Sequence, residues 1–574
     1  MIKIANKIYL YVCSILFLLI IAFLCYNAYT KTCYVTIQLA SEQTFFLKDN
    51  LLLNIGCTAV FVLLIYLLSR CKFTKNIINK INCNNKLFDI IQYILLAILF
   101  MAGFAWVYGT QIFPESDQHL LTSAVLNFKN GDYSAFEKGG YIEMCTNQIG
   151  IFLIYYLLSF IFNSNFFLGL QIVNVISVLL IYKSLSDIAK ELGHSNFVRL
   201  LIILSAFAFP ILIIYCWLIY GNMIGMAFIL LSIKYELRYF KEFKIKYIVY
   251  CSIFSTIALM AKSFSLVYMI GTLIYALFKI IDIKKLKGLF LIIGIVFAFL
   301  FQEYVPKMYI DYKTGLELNQ GASYYSYIAM GMQEGERCEG WHNKYNQESY
   351  RDADYNTDVQ KETAIKEIND RLDFFKNDKE YALKFYSRKI ISQWNNPTFE
   401  ALYGMDSAGD EFSYRFGDDY RLSKYFEPFL NLYFETHIQN ILNIEQSLIV
   451  FGSLLYVISF FLKKNKTMEE MLLPLCFVGG FMFLIIWEAK AQYALFYYVI
   501  LFLYSILGYR ELIAHLNKEA IYQNKRNITI VACICALLLF VNSVVFNKDY
   551  LSNDNEVYEE YVACGNTYDW FNQN

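Results

Sequence analysis

Residues 51–75 read LLLNIGCTAVFVLLIYLLSRCKFTK. The 19 positions from Leu51 to Ser69 carry no charged side chain, and Arg70, Lys72 and Lys75 follow at once. Crossing the hydrocarbon of a bilayer takes about 20 mainly apolar residues, because only a helix satisfies every backbone polar group within the segment. The run therefore predicts a membrane-spanning helix. The basic residues behind it predict that this end faces the cytoplasm.

Working outward with the same test gives thirteen spans, near 8–28, 51–69, 90–109, 166–182, 200–217, 223–238, 247–261, 264–279, 288–304, 447–462, 471–487, 493–509 and 528–546. The first follows Lys3 and Lys7 and lacks a small-residue cleavage site, so it reads as a retained anchor. A further run, Ile149 to Phe162, has 14 residues and reads as a re-entrant or interfacial helix. With the amino terminus inside and that run not counted, every basic cluster falls on one side. These clusters are Arg70 to Lys86, Lys183 to Arg199, Lys234 to Lys246, Lys279 to Lys287, Lys463 to Lys466 and Arg510 to Arg526. The carboxyl terminus is then outside.

Composition agrees with lipid as the main solvent. Of 574 residues, 57% are hydrophobic and 18% aromatic, more than one soluble core would hide. The formal net charge of zero, without a long run of one sign, lacks the electrostatic footprint of a nucleic-acid binder. The 14 cysteines are scattered, many inside apolar runs, with no CxxC pair. The expected organisation is residues 1–89 as two additional helices, 90–304 as a transmembrane core with a first outer loop at 110–148, 305–446 as an outer loop domain, and 447–574 as closing helices with a short outer tail. Apolar residues at helical spacing between Asp358 and Trp394 make the outer domain mainly helical, with Asn377 and Glu380 as a cap and its partner and Pro397 as the stop.

Polar residues that carry chemistry collect at the outer boundary. Glu115 and Asp117 directly follow a span, beside His119, and suit a general base with an orienting group; the same residues also suit the start of a helix. Lys262 lies between two spans with almost no polar connection, so it needs an anionic partner or an exit to water, and a buried phosphate would be such a partner. A plain interfacial lysine is the commoner case. The turn Trp487-Glu488-Ala489-Lys490-Ala491-Gln492-Tyr493 raises the same question. The five histidines form no metal-ligand spacing, and no Gly-rich nucleotide cradle is present.

In order along the chain, Pro114 to Gln118, the Gly139-Gly140-Tyr141-Ile142 and Asn147-Gln148 segments, Phe209-Pro210 with Tyr220-Gly221-Asn222, Ala329-Met330-Gly331 with Gly340-Trp341-His342-Asn343, Lys389 to Trp394 with Pro397, and Trp487 to Tyr493 together resemble the GT-C glycosyltransferase superfamily. The likeness is to bacterial relatives of the protein O-mannosyltransferases and lipid A aminoarabinose transferases, over about residues 90–510. It departs in two places: Ser116 separates the acidic pair, and Gln492 stands where that group often has Arg.

The resemblance implies an all-α GT-C-type helix bundle in a bacterial cell membrane, with its active site on the extracytoplasmic face. It implies a sugar donor linked to polyprenyl phosphate, a glycan, protein or envelope-polymer acceptor, inversion at the anomeric carbon, and no cofactor. A small flippase partner is compatible with it. Asp117 and Glu115 are then the expected catalytic residues. The expected substrate contacts are Lys262, Glu488, Lys490, Gln492, Tyr493, Asn147, Gln148, Tyr220, Trp341, His342 and Asn343. Two alternatives stand beside this reading. A polysaccharide polymerase or ligase using polyprenyl diphosphates would rely on residues such as Arg351 and His342. A lipid or solute transporter would show internal repeats and midplane charges, which this sequence lacks.

Overall fold

The structure is a computed structural model that describes residues 2–38, 41–110, 112–318, 320–335, 337–402, 432–517 and 552–564. The thirteenth apolar run, 528–546, lies outside the described residues. Helix dominates. Among the described residues, eight helices are long and apolar enough to cross a membrane, or up to ten if each of two bent pairs is one span.

The chain opens with α1 (Ile2–Thr30), an antiparallel hairpin of β1 (Lys31–Gln38) and β2 (Ser41–Lys48), and α2 (Leu51–Arg70). The hairpin departs from the all-α expectation. Its register pairs Lys31 with Lys48 and Gln38 with Ser41, and Thr, Val, Ile, Tyr and Phe supply its β-branched and aromatic content. Next come α3 (Lys72–Cys83) and α4 (Asn85–Thr110). Helix α3 occupies what the sequence suggested was only a basic connection, and its Ile81 packs with Phe88 and Leu200.

The first outer loop contains α5 (Ser116–Lys129) and the short α6 (Tyr141–Met144). The 14-residue α7 (Ile149–Phe162) follows, and Asn163, at φ 41, breaks it from α8 (Phe166–Glu191). Alone α7 reaches about 21 Å at 1.5 Å per residue, and together with α8 it makes the apolar helical stretch Thr146–Glu191 that counts as one of the eight candidate spans. Helix α9 (Asn196–Ala208) meets α10 (Ile211–Ile214) at a 57° bend over Phe209-Pro210, where the proline interrupts the helical ladder. Then α11 (Asn222–Glu242), α12 (Ile245–Ala261), α13 (Ser265–Ile283) and α14 (Leu289–Thr314) complete the first half.

The described outer domain holds α15 (Tyr324–Met330), α16 (Tyr345–Asp352), α17 (Thr357–Asn377) and α18 (Lys379–Trp394). The cap between the last two is Asp378, whose side chain accepts from the Tyr381 backbone N–H; Asn377 is instead the last residue of α17. The second half is α19 (Leu432–Leu462), α20 (Leu472–Ile486), α21 (Ala491–Tyr498), α22 (Ile500–Leu516) and the tail helix α23 (Asn555–Cys564).

Burial separates inner from outer helices. Helix α1 packs on α13, α19 and α20, and its Phe17 and Ile21 belong to the main core. It therefore packs directly on the core helices with one face, while Ile8, Val12, Ile15 and Leu19 on its other face are exposed. Helix α2 is peripheral: Leu52, Val60, Leu63 and Leu68 are exposed, as are Phe290, Ile293 and Phe297 on α14. Such apolar stripes on long helices are suited to lipid rather than water.

The hairpin, the outer domain and the tail meet on one side of the bundle. The Cys33 N–H donates to Asn395 O at 3.0 Å and the Thr44 hydroxyl to Arg337 O at 2.7 Å. Asp554 exchanges two bonds with Phe46, and Tyr558 stacks on Tyr34 at 5.5 Å.

Candidate active site

On that side a cavity of about 380 Å³ opens between α5, the connection before α11, the connection between α12 and α13, and the turn between α20 and α21. Each wall has a local cause.

Helix α4 ends at Thr110 and the chain must turn sharply into α5. Ser116 does this at φ 47, a left-handed conformation that strains a serine. Glu115 before it is extended, and Asp117 falls in the first turn, where the helix dipole favours a negative charge. The side-chain oxygen of Gln118 accepts from the Ile219 N–H at 2.8 Å, tying α5 to the connection that carries Tyr220.

Gly221 makes the next approach. Its φ of +81 suits glycine, and a Cβ there would lie 2.0 Å from the Ala261 carbonyl oxygen. The Tyr220 connection thus presses directly on the backbone that leads to Lys262. The Lys262 ammonium sits 4.1 Å from the Tyr220 ring centroid and 5.4 Å from that of Phe264. Lys262 is 6% exposed. Burial lowers its pKa from 10.5 to about 7, against the raising effect of Asp117 and Glu488 and with a lowering effect from Lys490.

The Tyr220 hydroxyl is a junction. It lies 2.9 Å from Gln148 Nε2, 3.0 Å from the Tyr141 hydroxyl and 3.3 Å from Asp117 Oδ2. A carboxylate only accepts and an amide nitrogen only donates, so the single Tyr220 proton goes to Asp117 while Gln148 and Tyr141 donate to its oxygen. Burial, with the Asp117 charge beside it, pushes the Tyr220 phenol up.

The third wall is the Trp487–Lys490 turn. Trp487 stacks on Tyr327 at 5.2 Å, Tyr493 meets Phe264 edge-on at 4.7 Å, and the Tyr493 hydroxyl donates to Glu488 Oε2 at 3.4 Å. Glu400 accepts from the Ala491 N–H at 3.1 Å.

The cavity is therefore lined by Glu115, Asp117, Asn147, Gln148, Tyr220, Lys262, His342, Glu488, Lys490, Gln492 and Tyr493, all singled out from sequence. Two of the expected residues are not among the lining residues. Trp341 is wholly buried; its indole N–H donates to Ser392 Oγ at 2.9 Å, and its backbone pairs with Ala489. Asn343 bonds to Gln333 at 3.0 Å and accepts from the Tyr345 N–H, so it shapes a turn. His119, named beside Asp117, and Glu143, which precedes Asn147 in sequence, also lie elsewhere. His119 approaches Ser123 and Phe113, because two residues along a helix turn a side chain about 200° away from Asp117. Glu143 joins Tyr350 at 2.7 Å and Gly139 at 3.2 Å.

Sequence reasoning missed Arg337, Glu400 and Cys145 in the lining. Glu400 follows Pro397 in a stretch without periodicity, so nothing local marked it. Arg351, weighed for the polymerase alternative, is largely exposed and pairs with Asp352 at 4.0 Å. Among the described residues, no three His, Cys, Asp or Glu side chains are grouped to hold a metal ion.

The fold and cavity define a helical bundle of membrane-protein character with a charged, aromatic-walled pocket at one end. No protein-family model matches the chain, and no curated protein matches it significantly.

Proposed function

We propose that this chain is a GT-C-type membrane glycosyltransferase that transfers a sugar from a polyprenyl-phosphate donor to an extracytoplasmic acceptor, with inversion. One observation carries the reading: Asp117 and Lys262 line the same cavity and are joined through Tyr220. In the proposed step, Asp117 accepts the proton of an acceptor hydroxyl as its oxygen attacks the anomeric carbon. The bond from that carbon to the phosphate oxygen breaks, and its electron pair leaves with the lipid phosphate. Lys262, with Lys490, balances the anion. Aromatic walls from Tyr220, Tyr327 and Trp487 suit the apolar face of a sugar ring.

The orientation belongs to the same proposal: thirteen spans, amino terminus in, carboxyl terminus out, in a bacterial cell membrane. Asn517 bonds to Ser69 at the basic end of α2, at 3.2 Å, whereas Asn555 bonds to Lys48 beside the other end, at 2.9 Å. Asn517 and Asn555 thus stand at opposite ends of α2, which agrees with the proposed orientation.

A second reading keeps the site and changes the donor. Arg337 and His342 also line the cavity, a cation set that suits the diphosphate of a polyprenyl-diphosphate polymerase or ligase. Purified protein incubated with polyprenyl-phosphate hexoses, with polyprenyl phosphate release followed for wild type and Asp117→Asn, tests the first reading. Release by wild type alone supports it. Equal turnover by both removes Asp117, and turnover of diphosphate donors only favours the second reading.

A further inference from the structure

Lys389, on α18 of the outer domain, is wholly buried and does not line the cavity. Among the described residues it forms no ion pair. Its ammonium donates instead to two main-chain carbonyls, that of Gly331 just after α15 and that of Trp487 at the end of α20, the latter at 2.7 Å. A buried ammonium without a carboxylate partner must satisfy its N–H groups with other acceptors, and here those acceptors are two carbonyls from segments far apart in the chain.

The surroundings of those carbonyls indicate what that is. A Cβ on Gly331 would come within 2.5 Å of the Trp487 carbonyl oxygen, so the two chain ends touch backbone to backbone. Two residues on, the Ala489 N–H donates to Gly340 O at 2.7 Å, and Trp341 pairs with Ala489 as an isolated parallel bridge. The outer domain therefore grips the Trp487–Lys490 turn from both ends. Lys389 is the side-chain donor of the grip. Burial lowers its pKa from 10.5 to about 7, against the raising effect of Glu488 across the turn.

We propose that Lys389 is a positioning residue for this site: by clamping the Trp487 carbonyl to Gly331 it fixes the turn that presents Glu488 and Lys490 to the cavity. The clamp is a matter of geometry alone, while its consequence for catalysis rests on the function proposed above. The test separates the two. In the full chain carrying Lys490→Cys, the rate at which a charged thiol reagent modifies the introduced cysteine is followed by peptide mass spectrometry, with melting temperature measured alongside. Lys389→Met is expected to raise that rate about tenfold or more well below melting, the scale set by losing a charge-assisted hydrogen bond. Lys389→Arg, which keeps a donor, is expected to return part of the way.

Equal labelling rates with and without Lys389→Met, or a rise that only tracks the loss of melting temperature, overturns the proposal. Should the Met variant not fold, Gly331→Ala, which pushes on the same carbonyl, is read in the same way and is expected to raise the rate. In the transfer assay without the cysteine, Lys389→Met is expected to lower kcat more than it changes the KM for the lipid donor. If wild type transfers nothing, the proposed function fails while the labelling rates still decide the clamp.

Discussion

The ammonium of Lys262 lies over the ring of Tyr220, 4.1 Å from its centroid, while the hydroxyl of the same ring reaches Asp117 at 3.3 Å. One aromatic side chain thus touches both the cation and the carboxylate on which the proposed chemistry depends, and each half of it can be removed separately.

Tyr220→Phe keeps the ring and removes the hydroxyl. It is expected to lower kcat by about tenfold, the order of a lost hydrogen bond to a charged group, with little change in the KM for the donor. Tyr220→Leu also removes the cation–π contact and is expected to raise that KM. A rise in KM for the Phe variant would instead make the hydroxyl a substrate contact.

Asp117→Asn leaves shape and volume nearly unchanged but removes the base. Transfer is expected to fall by roughly 10²- to 10⁴-fold while binding of the lipid phosphate persists, as read by initial rates and by retention of the lipid in native mass spectrometry.

Lys262 releases its proton near 7 in the folded chain and at the ordinary 10.5 when unfolded. Below about 7 both states hold the proton; between there and 10.5 only the unfolded state does, so this group makes stability rise with pH across that window. Anion binding has the opposite sign, because only the protonated amine attracts phosphate. Affinity for a polyprenyl phosphate is expected to fall above about pH 7, and Lys262→Met is expected to flatten that dependence in a titration from about pH 6 to 9.

Gly221→Ala puts a methyl group 2.0 Å from the Ala261 carbonyl oxygen at a φ of +81. The cost is expected to be about 1–3 kcal/mol in thermal unfolding, with loss of lipid binding as the Lys262 connection is displaced.

Topology is open to direct labelling. A thiol reagent that does not cross membranes is expected to reach Asn555→Cys in intact cells, and Lys72→Cys only after they are opened. The reverse pattern inverts the orientation.

Several elements were legible in the chain because their causes are local. The 57° bend at Phe209-Pro210 follows from a proline that lacks an N–H, and α7 stops at Phe162, where its apolar run gives way to Asn163-Ser164-Asn165. The cavity residues were legible for a related reason: polar groups next to apolar runs have few places to go, and Glu115, Asp117, Lys262 and Glu488 all lie beside such runs. The hairpin at 31–48 was not read from the sequence: its two strands pair with each other, but they are anchored by contacts with Asn395, Arg337 and Asp554 that no window of sequence contains. Trp341, expected as a substrate contact, falls outside the lining for the same reason: its indole serves Ser392, 51 residues away.

By itself the sequence determined that most of this chain forms long apolar helices and that its chemistry-bearing side chains sit at their ends. Hydropathy and charge act residue by residue, and they need no knowledge of partners. Only the tertiary structure decided which ends meet. The Gly221 contact that seats Lys262 over Tyr220, the entry of Glu400 and Arg337 into the cavity, and the packing of α1 on α13, α19 and α20 depend on close approaches between segments far apart in the chain. Packing at that range is a property of shapes in three dimensions, and a linear pattern of polarity does not encode it.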